Sequence, residues 1–340
     1  MSISYAVDFH PLYQSTRAQG MGSAMTAIVD DETAIMYNPA ALAGIKNMQL
    51  NIANIDAQIS TQIVTDYAAL GKAFMAPSVG SISSLIGKNI YERATLSSML
   101  VLPGFGIAAI YDQQIAVRIK NRALPQAEIG SQLTYGVQAG GGMTLYKFRH
   151  KKGEVRFGVA GKNLYRLGGY QHPTFTQMIA FDVKSLVANL STWGVGYGAD
   201  AGMQILYRLG RDVQLLASFV AFDIGDTAFS GTSSPQKNNL VAGGALRYRG
   251  PDMLATLSYE IQQLDESYDF MQKSHLGVEV KFPLLRLYAG LNQAYPSYGA
   301  AFDLGMVKFS GAVYTQEIGA AMHQNAETRG MVRVDVKLSL

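Results

Sequence analysis

The sequence contains no cysteine, so it can form no disulfide framework, no zinc–thiolate site and no thiol nucleophile. Charged residues make up only 16% of its 340 residues, and a formal net charge of +3 is too small to indicate nucleic acid as a partner. No uninterrupted apolar run reaches about 18 residues, which argues against a membrane-spanning helix. The first residues, MSISYAVDFHPLY, lack the basic and apolar regions of a signal peptide. If the protein is exported, we expect its signal peptide to have been cleaved and to be missing from this sequence.

Catalytic and metal-binding patterns are also missing. The five histidines are widely spaced and form no HExxH or His-x-His pattern; they are His10, His150, His172, His275 and His323. A dinucleotide-binding loop needs a preceding strand and a third glycine, but Gly20 and Gly22 follow no strand pattern and position 25 is Met25. No GxSxG sequence suggests a hydrolase nucleophile. The sequence therefore predicts a protein that is not an enzyme and has neither a metal site nor a cofactor.

Glycine and tyrosine are abundant, with 35 and 19 residues, and the dominant pattern is an alternation of apolar and polar side chains. From Val332 to Leu340 every second residue is apolar and the residues between are polar. Segments 276–282 and 285–292 show the same alternation. A period of two places the apolar residues on one face of a β-strand.

About fourteen such segments follow residue 46, and their connections alternate between tight joins, as at Arg249–Asp252, and longer polar loops, as at 226–238 and 318–327. Fourteen strands would enclose a lumen too wide for side chains alone to fill, so it can be polar while the apolar face meets lipid. A soluble β-sandwich or internally packed barrel is the alternative, but the recurring charged face argues against it. The predicted fold class is all-β: a transmembrane up-and-down antiparallel barrel of about 14 strands whose lumen is plugged by an N-terminal hatch.

The hatch is predicted from the stretch Gly20–Gly44, which is rich in small residues, is interrupted by Asp30, Asp31 and Glu32, and contains the stiff turn Tyr37–Ala40. This pattern suits a segment threaded through a barrel better than a free helix or strand. We therefore predict a hatch over 1–46 and a barrel over 47–340. Residues 63–90 lack a period of two and are predicted to form a helical loop insertion.

Two stretches carry a resemblance to a known family. The first is Gly20-Met21-Gly22-Ser23-Ala24, Ala27, Asp30-Asp31 and Tyr37-Asn38-Pro39-Ala40-Ala41-Leu42-Ala43, and the second is residues 275–319. On these residues the chain resembles the long-chain fatty-acid transporter (FadL-type) superfamily of outer-membrane barrels, which includes the PorV-type barrels. It departs from the family pattern at Ala41, where the turn motif has glycine, and at Leu340, where outer-membrane barrels usually end on an aromatic residue.

The resemblance implies a location in the bacterial outer membrane and two alternative functions. FadL-type barrels pass hydrophobic, fatty-acid-like molecules through the hatch and release them laterally into the membrane. PorV-type barrels are accessory proteins that bind a secretion or surface-assembly partner. The expected partners are outer-membrane lipid together with either a hydrophobic small molecule or such a protein, and not nucleic acid.

Three groups of residues are candidates for the site. The hatch and gating group consists of Gly20, Gly22, Asp30, Asp31, Tyr37, Asn38, Pro39 and Ala40. Strand parity gives a group of lumen cations that could pair within the wall or receive a ligand carboxylate, namely Arg118, Arg156, Lys162, Arg247 and Arg286. The third group is a candidate apolar surface for collecting ligand or docking a protein, namely Phe74, Met75, Leu85 and Ile86.

Overall fold

A computed structural model describes residues 11–75, 78–120, 126–172, 193–231 and 233–339. Fourteen antiparallel strands form one closed barrel, in which each strand pairs with its neighbours in sequence and β1 pairs with β14. The fold class and strand number predicted from the alternating pattern are confirmed. A closed barrel has no sheet edge. In hydrocarbon each unpaired backbone group would be costly, so closure suits a wall that meets lipid.

The element bounds follow from this pairing. The strands are β1 Gln49–Ser60, β2 Asn89–Leu102, β3 Phe105–Lys120, β4 Gln126–Lys147, β5 Gly153–Gln171, β6 Trp193–Arg208, β7 Val213–Phe222, β8 Asn239–Arg249, β9 Leu254–Ile261, β10 Ser274–Lys281, β11 Leu285–Asn292, β12 Tyr295–Asp303, β13 Val307–Glu317 and β14 Ala326–Ser339. The helices are α1 Thr16–Gly20, α2 Ala34–Tyr37, α3 Thr61–Thr65, α4 Tyr67–Met75, α5 Val79–Ser83 and α6 Phe270–Lys273, with 3₁₀ helices at Pro39–Gly44 and Arg149–Lys151.

The two ends of the barrel differ in the length of their connections. One end, called the turn end, has tight connections such as Pro103–Gly104 and 282–284, and β1 begins and β14 ends there. The other end, called the loop end, carries the longer segments 61–88, 223–238 and 262–273. Its rim is uneven, because β2 to β6 are 14 to 22 residues long whereas β7 to β12 have 8 to 11.

The outer face of the wall is apolar. In β14, Val332 and Leu338 are exposed on the outside, while Arg333 and Asp335 between them are buried on the inside. Aromatic side chains frame this outer face toward both ends. Tyr111, Tyr135, Tyr165, Trp193 and Tyr197 lie toward the loop end, and Tyr146, Phe148, Tyr207, Tyr248 and Phe282 lie toward the turn end.

The spacing of these aromatic rows matches a bilayer. Tyr135 and Tyr146 are eleven residues apart on β4. At about 3.3 Å per residue and a strand tilt of about 40°, that separation spans roughly 28 Å along the barrel axis. Outer-membrane barrels show an apolar band of about 25 Å between two aromatic girdles. Among the described residues, no helix is long and apolar enough to cross a membrane.

Residues 11–46 fill the lumen and are called the plug below. The segment holds α1, α2 and the 3₁₀ helix Pro39–Gly44, and most of its side chains are buried. A continuous buried apolar cluster joins plug residues such as Ile28 and Ile35 to inward side chains of the wall such as Ile110 and Leu164. These contacts support the division of the chain into a hatch and a barrel, which stays a prediction.

A row of glycines on three neighbouring strands forms the seat of the Asn38–Ala40 turn. Gly142, Gly158 and Gly202 lie opposite one another on β4, β5 and β6. A Cβ atom on Gly142 or Gly158 would overlap the backbone of Pro39, and one on Gly202 would overlap the Asn38 side chain. The absence of side chains on the wall therefore lets the plug backbone lie directly against the strands.

The segment between β1 and β2 folds over the outside of the wall. Leu70 of α4 and Leu85 are buried in one cluster with Ile119 and Ala127 of β3 and β4, against which Ile86 also packs. Leu85, a candidate for the apolar collecting surface, is buried against the outer face of the wall, and its role in collecting ligand stays a prediction. Met75 is 91% exposed, and Phe74 lies in α4, with its side chain outside the described part of the structure.

We predict that Gly158→Ala loosens the plug, because the added methyl group meets the Pro39 backbone. Forced overpacking of this kind costs about 1–3 kcal/mol. The measurement is the rate of limited proteolysis within residues 11–46, together with the thermal unfolding midpoint in detergent. Gly161→Ala is the matched control, because it lies on the same strand and a Cβ there meets nothing within 4 Å. Equal rates of proteolysis in the two variants would show that the plug does not depend on close contact between Gly158 and Pro39.

Candidate functional site

Arg17 is the centre of the charged network that holds the plug. Its guanidinium group pairs with Asp30 at 3.0 Å, Asp31 at 3.1 Å and Glu279 of β10 at 2.6 Å. Asp30 in turn contacts Arg247 of β8 at 3.2 Å. Two strands of the wall are therefore linked through the plug by a single buried cation and its acidic partners.

This network determines the ionisation of the two plug carboxyl groups. Burial opposes their ionisation, but the Arg17 guanidinium outweighs it and lowers the pKa of both Asp30 and Asp31 below the usual range. Arg247 adds to the effect at Asp30, and Lys308 adds to it at Asp31. The side chain of Asp30 is 45% exposed and that of Asp31 22%, so solvent screens the Asp30 pair more.

Hydrogen bonds to neighbouring strands hold the middle of the plug. Glu260 of β9 accepts from the backbone N–H of Thr26 at 2.8 Å and from its hydroxyl group at 2.7 Å. The carbonyl oxygen of Ile28 accepts from Arg247 at 2.7 Å. Because these groups are buried, losing a wall partner leaves a costly unsatisfied polar group.

The plug residues Gly20 and Gly22 lie against β10 and β11. Gly22 has a φ of 60° and a Cβ there would overlap the carbonyl oxygen of Leu291, so both its backbone conformation and its close approach require glycine. A Cβ on Gly20 would meet Tyr288 at 2.9 Å. The ring of His275 contacts the Gly22 carbonyl oxygen at 2.8 Å through Nδ1.

The turn motif stabilises the plug itself. The Asn38 Oδ1 atom accepts from the N–H of Ala40 at 3.0 Å and caps the 3₁₀ helix that Pro39 begins, while its Nδ2 donates to the Thr26 carbonyl at 3.0 Å. The Tyr37 hydroxyl accepts from the N–H of Ser15 at 2.8 Å, so it joins two parts of the plug. Burial raises the pKa of Tyr37 to about 12 and keeps the hydroxyl neutral.

The five predicted lumen cations do not form one site. Arg247 holds the plug, Arg156 lies against Gly44 of the plug and pairs with Glu154, and Lys162 bridges Asp200 and Asp223 at 2.8 Å each. Arg286 pairs with Asp303 at 3.5 Å, and Arg118 is half-buried near the loop end of β3. Their role as ligand-binding residues stays a prediction.

The lumen contains a small polar cavity of about 20 Å³ between the plug and the wall. It is lined by Arg17, Asp31, Arg286, Lys308, Arg333 and Tyr288, among others. A volume of this size holds about one water molecule. Within the described ranges, no group of three or more acidic or histidine side chains is arranged to hold a metal ion.

The apolar contacts inside the barrel run along the plug. The buried cluster that contains Ile35 and Leu42 of the plug also includes Ala160 and Leu164 of β5 and reaches Phe229 near the loop end. Apolar side chains therefore continue through the polar lumen from the loop end to the 3₁₀ helix near the turn end. The cluster is densely packed, so a molecule can follow it only if side chains or the plug move.

A second segment folds into the barrel at its loop end. Residues 223–231 and 233–238, called the strap, lie on the inner face of β6, because Cβ atoms on Gly194, Gly196 and Gly198 would meet Ser230, Phe229 and Thr227. Thr227 and Gln236 exchange two backbone hydrogen bonds of 2.8 and 3.0 Å. The strap thus narrows the loop end of the lumen.

Sequence analysis missed Arg17 and the strap. Arg17 precedes the small-residue stretch, yet the adjacent acidic residues Asp30 and Asp31 needed a counter-charge, and Arg17 supplies it within the plug. The strap was read as an ordinary polar loop. Alternate glycines at 194, 196 and 198 on one face of β6 were the available signal, since they leave room for another backbone.

Comparison with known proteins adds evidence on the fold. No family model and no curated protein matches the chain. Among solved structures, it is similar to the TodX deltaS2S3 mutant monoaromatic hydrocarbon channel, with 11% identity, 96% of this chain and 98% of that chain covered, and a TM-score of 0.52. It is also similar to the CymD monoaromatic hydrocarbon channel, with 12% identity, 96% and 97% covered, and a TM-score of 0.50. At this identity the likeness shows a shared fold, and this fold is the one that the resemblance to FadL-type barrels predicted.

We predict that acid loosens the plug. Asp30 and Asp31 have lowered pKa values, so their contribution to plug stability is present above the ordinary carboxyl value of about 4 and is lost as the pH falls through the lowered values. Asp31, the more buried of the two, should dominate. The measurement is pepsin cleavage within residues 11–46 between pH 4 and pH 2.

Arg17→Met should weaken this pH dependence and destabilise the plug at neutral pH. Removing one partner of a buried ion pair costs about 3–5 kcal/mol, because Glu279 is left without its counter-charge. Arg17→Lys, which keeps the charge, is the control and should retain most of the acid response. An Arg17→Met protein that follows the wild-type cleavage profile would show that Arg17 does not hold the plug.

Proposed function

We propose that this chain is an outer-membrane channel for small hydrophobic molecules, closed by its plug in the conformation described here. The observation that carries the proposal is the continuous apolar cluster that accompanies the plug through an otherwise polar lumen. A molecule that leaves water for such a path gains about 25 cal/mol per Å² of apolar surface that it buries. No covalent chemistry is required, and the driving force is partition.

The apolar outer wall and its two aromatic girdles support a location in the outer membrane, because only a closed barrel can satisfy its strand backbone groups in hydrocarbon. The two solved structures of similar fold are monoaromatic hydrocarbon channels, which supports hydrophobic transport as a class.

The plug supplies the gate in this proposal. Among the described residues, its ion pairs with the wall are those of Arg17 with Glu279 and of Asp30 with Arg247, and the Asp30 carboxylate is partly exposed. Ion pairs that reach solvent are worth only about 0–1 kcal/mol, so ligand binding can displace such a contact. The Asn38–Pro39 corner on its glycine seat transmits movement between the two parts of the plug as a rigid element.

A PorV-like accessory role is the second candidate, and one surface favours it. Tyr67 of α4 is 74% exposed, and Val64, Met75, Phe270 and Met271 near the loop end are also exposed. Exposed apolar side chains outside the membrane band are typical of protein-docking surfaces. Under this alternative the barrel should purify with a large partner, and the plug would act only as a structural filler.

The first test is permeation. We expect proteoliposomes that contain the purified barrel to take up toluene or a medium-chain fatty acid faster than empty liposomes, while glucose uptake is unchanged. Heat-denatured protein reconstituted in the same way is the control for leaky vesicles. Equal uptake with and without the barrel, together with co-purification of one stoichiometric protein from native membranes, would replace this proposal by the accessory role.

The second test is charge reversal in the plug. Asp30→Lys with Asp31→Lys places both lysines beside Arg17 and Arg247, so repulsion replaces attraction and should displace the plug. Planar-bilayer recordings should then show larger or more frequent openings than the wild type. Asp212→Lys, in the exposed turn between β6 and β7, is the control for added positive charge. Unchanged conductance and protease resistance in the double variant would refute gating by the plug.

A further inference from the structure

The strap inserts a phenyl ring into a site that the barrel wall builds. The ring of Phe229 lies 4.1 Å from Arg166 Cζ, measured to the ring centroid. Beside it lies Gly196, where an added Cβ would meet two ring carbons at 2.8 Å. The space between Arg166 and Gly196 is called the ring slot below. Both residues belong to the wall, Arg166 to β5 and Gly196 to β6.

Arg166 is an unusual residue to find in this position. It is buried and makes no ion pair with an acidic side chain among the described residues. Its Nε atom donates to Thr134 of β4 at 3.0 Å, which fixes the guanidinium plane from the wall. The two terminal nitrogens donate to the strap, to the Ser234 carbonyl at 2.7 Å and to Gln236 Oε1 at 3.0 Å. Departure of the strap would uncover an oriented, weakly hydrated cation.

The strap can leave without breaking a pair of strands. β6 pairs with β7 only from Ala201 onward, so its first eight residues have no β7 partner. In their place, Ser230 N–H donates to the Val195 carbonyl at 3.0 Å, the Val195 N–H donates to Ser230 Oγ at 2.9 Å, and Ile224 N–H donates to Ala199 at 2.9 Å. Asp223 stays anchored to Lys162 at 2.8 Å, so local opening is confined to residues 227–231 and 233–236 of the strap, while the barrel stays closed.

From this geometry we propose that the ring slot is a binding site for a monocyclic aromatic hydrocarbon, and that Phe229 is its internal competitor. This inference rests on the proposed transport function. The guanidinium face attracts an aromatic ring through its quadrupole, and an aliphatic molecule of equal size lacks that attraction. Gly196 provides a flat floor on which a planar ligand fits. The slot is already matched in size and chemistry to a phenyl group, because it holds one.

The location gives the site a role in transport. Phe229 belongs to the same buried apolar cluster as Leu164 of β5 and Ile35 of the plug. A ligand that replaces the Phe229 ring therefore enters the apolar path at its loop end. A bound ring covers again the guanidinium face that departure of Phe229 uncovers, which limits the cost of an exposed cation inside the barrel. Opening of the strap and binding of the ligand are then one coupled step.

A reversible disulfide tests whether the strap must open. A Cβ on Gly198 would lie close to Thr227 Oγ1, so Gly198→Cys with Thr227→Cys can form a disulfide that holds Phe229 in the slot. The chain has no other cysteine, so the cross-link is unambiguous. In proteoliposomes we expect toluene uptake to fall to the level of empty vesicles when this variant is oxidised and to recover on reduction. Gly198→Cys alone is the control and should not respond to oxidation.

The outcomes separate this inference from the proposed function. If the wild type transports toluene and the oxidised variant transports it equally well, the claim that ligand binds in the ring slot is wrong and the channel function stands. If neither the wild type nor the reduced variant transports any hydrophobic molecule, the channel function fails, and the slot as a transport site fails with it.

A binding measurement tests the ligand class without transport. Phe229→Ala removes the competitor, so toluene should bind to this variant in detergent at least about tenfold more tightly than to the wild type, measured by ligand-observed NMR. The variant should also prefer toluene over methylcyclohexane by roughly threefold or more, as a cation–π contribution implies. Phe219→Ala, on the outer face of the neighbouring strand β7, is the matched control and should bind like the wild type.

Arg166→Met in the Phe229→Ala background keeps the apolar volume and removes the cation. The preference for toluene over methylcyclohexane should then disappear while both still bind. An undiminished preference, or equal binding of the two molecules before the arginine is removed, would overturn the assignment of the slot to aromatic ligands.

Discussion

The structure depends on one constraint: a barrel with an apolar exterior must place its charged side chains inside, where each needs a partner. The alternation that exposes Val332 to the outside directs Arg333 and Asp335 inward, and similar pairs line the other strands. Water cannot solvate all of these groups, because the lumen is largely filled. The plug resolves the problem by supplying Arg17, Asp30 and Asp31 as counter-charges, and its backbone as donors and acceptors.

The same constraint explains why the plug contains small residues and faces glycines. Charges on the plug can reach charges on the wall only if the two backbones approach closely. The glycine row at 142, 158 and 202 seats the Asn38–Ala40 turn, and Gly22 does the same against β11. Close approach and charge pairing act together, since a plug held further from the wall would lose the short contacts of Arg17 with Glu279 and of Thr26 with Glu260.

Much of this could be predicted from the sequence, for a physical reason. A period of two fixes which residues share a face, so the alternation at 332–340 was enough to predict a strand with Arg333 and Asp335 inside. The number of such segments gave the number of strands. Partner choice was not accessible, because alternation gives the face but not the height or the register. The sequence therefore predicted Arg247 and Arg286 alike as lumen cations, although Arg247 contacts the plug and Arg286 pairs with Asp303.

The loop end was the least predictable part. Their apolar character made Leu85 and Ile86 candidates for a collecting surface, and in the structure Leu85 is buried against Ile119 and Ala127 on the outer face of β3 and β4. The polar composition of 226–238 suggested an external loop, yet the three alternate glycines of β6 allow it to fold inward. In both cases tertiary contacts with another element decided the outcome, and only the alternate glycines of β6 marked such a contact in the sequence.

The central claim is that the plug closes an apolar path and must move to open it. Ala27 and Gly243 offer a direct test, because a Cβ on Gly243 would lie 3.4 Å from the Ala27 Cβ, close to the separation in a disulfide. Ala27→Cys with Gly243→Cys would tie the plug to β8 in a chain that otherwise has no cysteine. The decisive measurement is uptake of a hydrophobic molecule by proteoliposomes that contain this variant. The account predicts that uptake stops on oxidation and returns on reduction, and uptake that continues at the same rate with the disulfide formed would contradict it.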